Sequence, residues 1–339
     1  MPPAPPPVPR PAAPPAARPE LSDVRSLEEL YPRLAKLHIT AGWNKPQPSL
    51  YPEPKRNFHP VHWRWSECRA AMQAAGRLID TELAERRNLV LYNPVDPDRY
   101  ATTRTLVAAY QMILPGEHAR SHRHSPHALR LVLEGEGAYT VVDGQRLEMS
   151  PGDVVLTPGS CWHGHGNDGD APCYWLDGLD VPLAHLLEPV FLEPHPAGFA
   201  PVEGQSADSP YLFRWQDSLR RLDAGRPDPE GVHGIRVELG NPALPTAAVY
   251  MERLPAGFET RPKRTTANQL FCPVEGRGET AIDGERFRWE PGDVLAVPCW
   301  RPFHHRAESD ATLFCMTDEP LQRHCRYLRT EVEPPAHEV

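Results

Sequence analysis

Residues 134–163 read EGEGAYTVVDGQRLEMSPGDVVLTPGSCWH, and residues 275–303 read EGRGETAIDGERFRWEPGDVLAVPCWRPF. The landmarks Glu-Gly-x-Gly, Asp-Gly and Pro-Gly-Asp recur in the same order, and the spacing from Asp-Gly to Pro-Gly-Asp is identical in the two copies. A proline, Pro158 or Pro298, stands at the same distance beyond each Pro-Gly-Asp. Chance matching of three spaced landmarks is improbable, so the chain is expected to contain two homologous units. Around them run short alternating segments such as LRLVLEGEGAYTVVDGQ (129–145), broken by Gly, Pro and Asp-Gly. Asp-Gly between alternating runs marks a hairpin, and many short strands with regular turns predict a sandwich or barrel. The β-domains are placed at 101–185 and 235–320, with 186–234 an irregular linker that carries a short helix near 215–222.

Outside the repeats the texture differs. Residues 1–19 are dominated by proline, which removes backbone donors and buries little, so this tail is read as disordered or polyproline II. Residues 20–100 are read as an arm with two helices: one near 24–36, the other starting at Ser66 as N-cap. In the second, Cys68, Ala71, Met72, Ala75, Leu78 and Ile79 fall at helical spacing and define one buried face. Residues 321–339 form a C-terminal tail. With 36 Lys+Arg and 45 Asp+Glu among 339 residues, the net charge is −9 and no basic cluster stands out, which argues against a nucleic-acid binder. No apolar run approaches the roughly 18 residues of a membrane span, and no signal-peptide pattern opens the chain. Seven cysteines, never spaced Cys-x-x-Cys, fit a reduced cytoplasmic protein better than a disulfide scaffold or zinc ribbon.

The chemistry-bearing residues lie in the first copy. Residues 116–124 read GEHARSHRH. On a strand, His122 and His124 share a face with Cα atoms about 6.6 Å apart. Such a pair alone is weak, since it is usually a surface accident. A third imidazole is offered by His163, which follows the Pro-Gly-Asp hairpin on a strand able to pair with the first; His165 and Asn167 continue that strand. Three neutral imidazoles suit a divalent first-row metal and leave coordination positions open. By ligand count zinc fits as well as iron.

Gly116, five residues, His122-Arg123-His124 and then Gly135 resemble the first motif of the cupins; Gly152, five residues, Pro158, His163 and Asn167 resemble the second. Many cupins carry a glutamate four or five positions after the second histidine, where this chain has Ala128 and Leu129. That departure points to a three-histidine site and away from oxalate oxidase or decarboxylase chemistry. The strings PGExxxxHRHSxxALR (115–130), WHGHGN (162–167), WLDGLDVPL (175–183) and ERRNLVLYNP (85–94) narrow the resemblance to the gentisate and salicylate 1,2-dioxygenases, over most of residues 66–320. The resemblance implies an all-β dominated bicupin, two double-stranded β-helix (jelly-roll) barrels behind an N-terminal helical arm. It also implies one Fe(II) per chain, a homo-oligomer (dimer or tetramer), and a place in aromatic catabolism. The activity it implies is insertion of O2 between the carboxyl-bearing and hydroxyl-bearing carbons of gentisate, giving maleylpyruvate. Substituted salicylates or 1-hydroxy-2-naphthoate are alternative substrates, and a non-catalytic cupin that binds an aromatic acid is the alternative of a different class.

Roles follow residue by residue. His122, His124 and His163 are the metal ligands. Arg130, six residues past His124 and facing the same way by strand alternation, is assigned to the substrate carboxylate. His165 is a candidate proton acceptor, and Asp177 would orient His165 or hold Arg130. Gln111 and Trp175 are expected to line the pocket, and Arg86 to reach in from the arm. The plainer readings are a solvated Arg86-Arg87 pair, a turn role for Asp177, and tryptophans that fill the barrel. In the second copy the His-x-His window holds Lys263-Arg264-Thr265, and Phe303 stands where the first has His163. That domain is expected to carry no metal.

Overall fold

The structure, a computed structural model, describes residues 20–80, 86–205, 209–240 and 244–334. The proline-rich tail at 1–19 lies outside the described residues, as does the end of the C-terminal tail. Residues 20–53 belong to a unit of their own. It contains helix α1 (Leu27–Lys36), whose first turn is capped by Ser26 Oγ accepting from Glu29 N–H at 3.2 Å, with acidic residues at its start and basic ones at its end. No helix among the described residues is long and apolar enough to cross a membrane.

From residue 54 onward the chain is a pair of barrels. Strand β1 (Val61–Trp63) and helix α2 (Trp65–Leu78) precede β2 (Arg87–Leu91). The first barrel continues with β3 (Val107–Ile113), β4 (His118–His124), β5 (Ala128–Glu134), β6 (Ala138–Val142), β7 (Gln145–Glu148), β8 (Val154–Thr157), β9 (His163–Asn167) and β10 (Cys173–Leu179). The connection holds α3 (Val181–Leu187), β11 (Leu192–Pro194), β12 (Gly204–Gln205), β13 (Leu212–Phe213) and α4 (Trp215–Ala224). The second barrel comprises β14 (Ile235–Leu239), β15 (Ala248–Leu254), β16 (Lys263–Thr265), β17 (Gln269–Glu275), β18 (Gly278–Ile282), β19 (Glu285–Trp289), β20 (Val294–Val297), β21 (Phe303–Ala307) and β22 (Ala311–Thr317). Helix α5 (Glu319–His324) and β23 (Thr330–Val332) follow. Each barrel closes from two sheets: β13-β8-β5-β10-β3-β2 with β11-β4-β9-β6-β7-β12, and β1-β20-β17-β22-β15-β14 with β19-β18-β21-β16-β23. The fold is thus β-dominated, with two jelly-roll barrels.

The sheet orders show an exchange of arms. Strand β1, which precedes the first barrel, pairs with β20 of the second, while β13 of the connection pairs with β8 of the first. The Pro-Gly-Asp turns explain why. Asp293 Oδ1 accepts the Trp65 N–H that opens α2 at 2.7 Å, and Asp153 Oδ1 accepts the Trp215 N–H that opens α4 at 2.8 Å. Each aspartate caps a helix that lies far from it in sequence. The turn glycines have φ +87° at Gly292 and +85° at Gly152, and a Cβ there would stand 2.7 Å from Trp65 or 2.6 Å from Trp215. Glycine is therefore required both for the turn and for the indole laid on it. Ser66 does not cap α2: Arg64 occupies the N-cap without a side-chain bond, and Asp293 supplies the acceptor instead.

Three apolar clusters hold the pair together. One lies between the barrels and joins Leu129, Leu131 and Tyr110 of the first to Met251, Phe314 and Met316 of the second. The others fill the individual barrels, one around Trp175, Val132 and Leu147 and the other around Phe271, Trp289 and Phe303. Continuity of the first cluster across both repeats argues for one cooperative body rather than two beads.

Candidate metal centre and its surroundings

Strands β4 and β9 pair antiparallel with His122 directly opposite His163, and a bulge between Ala119 and His122 adjusts the pleat. His122 and His124, two residues apart on β4, share the inner face. Their ring centroids stand 4.4 Å and 4.7 Å from that of His163, and one nitrogen of each ring lies within 4.8 Å of the others. It is the only group of three or more His, Cys, Asp or Glu side chains with that convergence among the described residues.

The backbone fixes how these rings point. His122 Nδ1 faces the Arg120 carbonyl at 3.3 Å, His124 Nδ1 faces that of Pro126 at 2.8 Å, and His163 Nδ1 faces that of Cys161 at 3.0 Å. A carbonyl can only accept, so each Nδ1 carries the proton and each Nε2 presents a lone pair. His163 Nε2 is buried without a hydrogen-bond partner. Burial pushes the imidazolium forms of His122 and His124 down to about 4, and the nearby Arg86 and Arg130 charges add to this. Burial and then Arg130 push His163 well below the ordinary histidine range. Three neutral nitrogens, oriented in advance by carbonyls and including an orphaned buried acceptor, form the donor set of a divalent first-row metal. His124 is the most exposed of the three, so the centre faces outward on its side.

A polar chain runs from the triad into the barrel. Arg130 is 1% exposed; its Nη2 donates to His165 Nε2 at 3.1 Å and its Nη1 to Thr157 Oγ1 at 2.8 Å. His165 Nδ1–H is left to donate to Thr140 Oγ1, whose own hydroxyl donates to the Gly164 carbonyl at 3.2 Å. Both His165 nitrogens are therefore engaged and its tautomer is fixed. Asp177 sits opposite Arg130 on the neighbouring strand β10, with Oδ1 3.4 Å from Arg130 Nε and Oδ2 accepting from Gln111 Nε2 at 2.5 Å. Gln111 Oε1 in turn accepts from Arg86 Nε. Burial pushes the Asp177 carboxyl up against the opposing pull of Arg130, and it pushes Arg130 down to about 10. Trp175 is fully buried, with its ring 5.8 Å from that of His165.

All the residues singled out from sequence therefore gather around one point, but alternation does not account for Arg130. Residues 125–127 separate β4 from β5, and the two strands lie in different sheets. Arg130 arrives through its register with Asp177. Thr140 and Thr157, both fully buried, were not anticipated. A single threonine in each of the runs AYTVV and VVLT is the available signal. In the second barrel Lys263 pairs with Phe303 as His122 pairs with His163, so lysine and phenylalanine stand where two of the imidazoles would be. His305 is the counterpart of His165: it lies opposite Thr280, and its Nδ1 meets Thr280 Oγ1 at 2.8 Å.

A model of the cupin domain matches residues 109–179 and 250–317. The chain is 34% identical to gentisate 1,2-dioxygenase 1 of Aquipseudomonas alcaligenes over 89% of its own length and 95% of the relative's. It is 32% identical to 5-aminosalicylate 1,2-dioxygenase of Comamonas sp. over 88% of each chain. Its fold superposes on crystalline salicylate 1,2-dioxygenase of Pseudoaminobacter salicylatoxidans, determined as an adduct with gentisate, with a TM-score of 0.82 at 29% identity, covering 93% of this chain and 96% of that one. The chain belongs to the gentisate and salicylate 1,2-dioxygenase family, and is a ring-cleaving dioxygenase, an oxidoreductase built from two cupin barrels with a metal cofactor.

Proposed function

We propose that this chain uses one Fe(II), held by Nε2 of His122, His124 and His163, to cleave gentisate with O2 between the carboxyl-bearing and hydroxyl-bearing carbons, giving maleylpyruvate. The observation that carries the reading is the convergence of three neutral imidazoles beside a buried arginine. Bound there, ferrous iron supplies a redox-active centre at which a chelating 2-hydroxy acid and O2 can meet. The protein's part is to orient and to move a proton. Arg130 takes the substrate carboxylate; a desolvated guanidinium gains most from an anion it can grip with two N–H groups. Its Nη2 otherwise rests on His165 Nε2. A carboxylate that captures that donor releases the His165 lone pair, which then accepts the phenolic proton. Asp177 holds Arg130 at Nε and is itself held by Gln111, which accepts from Arg86, and the Trp175 ring packs 5.8 Å from that of His165. We further propose a homo-oligomer, a dimer or tetramer, that works in the cytoplasm; the seven free thiols are in keeping with a reducing compartment.

The test is anaerobic loading with Fe(II), addition of gentisate, then air. Stoichiometric O2 uptake with maleylpyruvate formation supports the proposal. No O2 uptake with gentisate, but uptake with a 5-substituted salicylate, would move the assignment to the substrate of the Comamonas relative.

A further inference from the structure

The second barrel keeps the mouth of the first but rebuilds it. Register aligns Lys263 with His122, Thr265 with His124 and Phe303 with His163. Glu252 is the fifth residue of β15, as Gln111 is of β3. Arg236 pairs with Glu252 as Asn88 pairs with Gln111. Where one barrel gathers three neutral bases, the other brings two basic side chains to a cavity of about 280 Å³: Arg236, and Lys263, which burial pushes down to about 8. That is close to the lower limit for small-molecule pockets.

The hydrogen bonds there do not balance. His233 Nδ1–H lies 3.3 Å from Glu252 Oε2, which leaves His233 Nε2 a single lone pair. Two donors approach it: Arg236 Nη1 at 2.9 Å and Lys263 Nζ at 3.1 Å. Of the carboxylates near the cavity, Glu252, Asp228 and Glu319 already have hydrogen-bond or ion-pair partners, and Glu230 lies on its rim. Glu252 Oε1 accepts from Gly234 N–H at 2.9 Å, Asp228 Oδ2 accepts the N–H groups of Val232 at 2.8 Å and His233 at 3.0 Å, and Glu319 pairs with Arg323. Lys263 is only 6% exposed, and Arg236 Nε, a donor, is buried without a hydrogen-bond partner. The Phe303 ring 5.3 Å from Lys263 Nζ and the Tyr250 ring under Arg236 soften the burial of these charges but accept no conventional hydrogen bond, and an oxyanion bridging Lys263 and Arg236 would supply the missing acceptors.

We propose that the mouth of the second barrel is a binding site for a small organic carboxylate, gripped by Lys263 and Arg236. The lysine provides at this position the positive charge that the metal provides in the first barrel, without redox capacity, so the site binds and does not turn over.

Crystals of the iron-loaded protein soaked with 4-bromobenzoate locate every bound carboxylate by the anomalous signal of bromine. A peak in the second barrel with the carboxylate between Lys263 and Arg236, lost in Lys263→Met while iron content is kept, is the expected result. The wild-type soak decides alone if the variant does not fold. No peak in that mouth, a peak that survives Lys263→Met, or density there only after a parallel soak in inorganic phosphate would each overturn the assignment.

Discussion

Replacing Thr140 with valine separates the orientation of His165 from the metal site. The substitution keeps the shape of a fully buried side chain and deletes one hydroxyl. That hydroxyl receives His165 Nδ1–H and passes its own proton to the Gly164 carbonyl. Without it, His165 either keeps a buried unpaired N–H or shifts its proton to Nε2, where it meets the Arg130 Nη2 donor 3.1 Å away. Each choice costs about 1–3 kcal/mol, the penalty for an unsatisfied buried donor. Denaturant unfolding should therefore show T140V less stable by that amount. Iron content should stay at the wild-type level, because none of the three triad nitrogens is touched. Turnover, measured as kcat/KM by O2 uptake, should fall about 10- to 100-fold, as for a misplaced reacting group. T140S loses only a methyl, about 1 kcal/mol of stability, and should keep most of the turnover. The matching change in the second barrel, T280V, removes the partner of both His305 Nδ1 (2.8 Å) and Trp289 Nε1 (3.0 Å), so it should cost stability and leave turnover intact. T140V with wild-type stability and wild-type kcat/KM would show that the Thr140 hydroxyl does not hold His165 in place.

Three further outcomes follow from the same geometry. Installing histidine at Lys263, Thr265 and Phe303 together should raise metal content from one to two ions per chain by plasma emission; a value that stays at one would break the register equivalence of the two mouths. D293A should destabilise the protein by at least about 2 kcal/mol, because it strips the N-terminus of α2 of an acceptor 2.7 Å from Trp65 N–H; an unchanged urea midpoint would deny Asp293 that role. Burial pushes His305 from 6.5 down to about 3, so between those values the unfolded chain binds more protons and folded stability is lost as the pH falls. H305Q retains a polar partner for Thr280 and cannot titrate; comparing unfolding at about pH 7.5 and about pH 5.5, it should lose less stability than wild type.

The repeat itself was legible because turns are local. Asp143-Gly144 and Asp283-Gly284 both adopt positive φ, as a two-residue hairpin turn requires, and two dipeptides at matched spacing reveal two copies. The triad was legible for a similar reason: His122 and His124 sit on one strand, and His163 follows a hairpin whose length sets its register. What sequence could not show is long-range pairing. Nothing near Ser66 indicates that Asp293 will cap that helix, or that β1 will cross to β20. Strand alternation from His124 cannot place Arg130, because it fails across the turn at 125–127; Asp177, which Arg130 faces, comes from β10. From sequence, the polar mouth of the second barrel shows only as a loss of histidines. Lys263 looks like a surface lysine until Arg236, His233 and Glu252 arrive around it from other strands.

Everything proposed for the first barrel requires its three rings to share one ion. Diffraction from crystals of iron-loaded protein, collected on both sides of the iron absorption edge, tests it directly. One anomalous peak per chain is predicted, within bonding distance of Nε2 of His122, His124 and His163. A peak elsewhere, or an ion held at Phe303 and Lys263 in the second barrel, would contradict it.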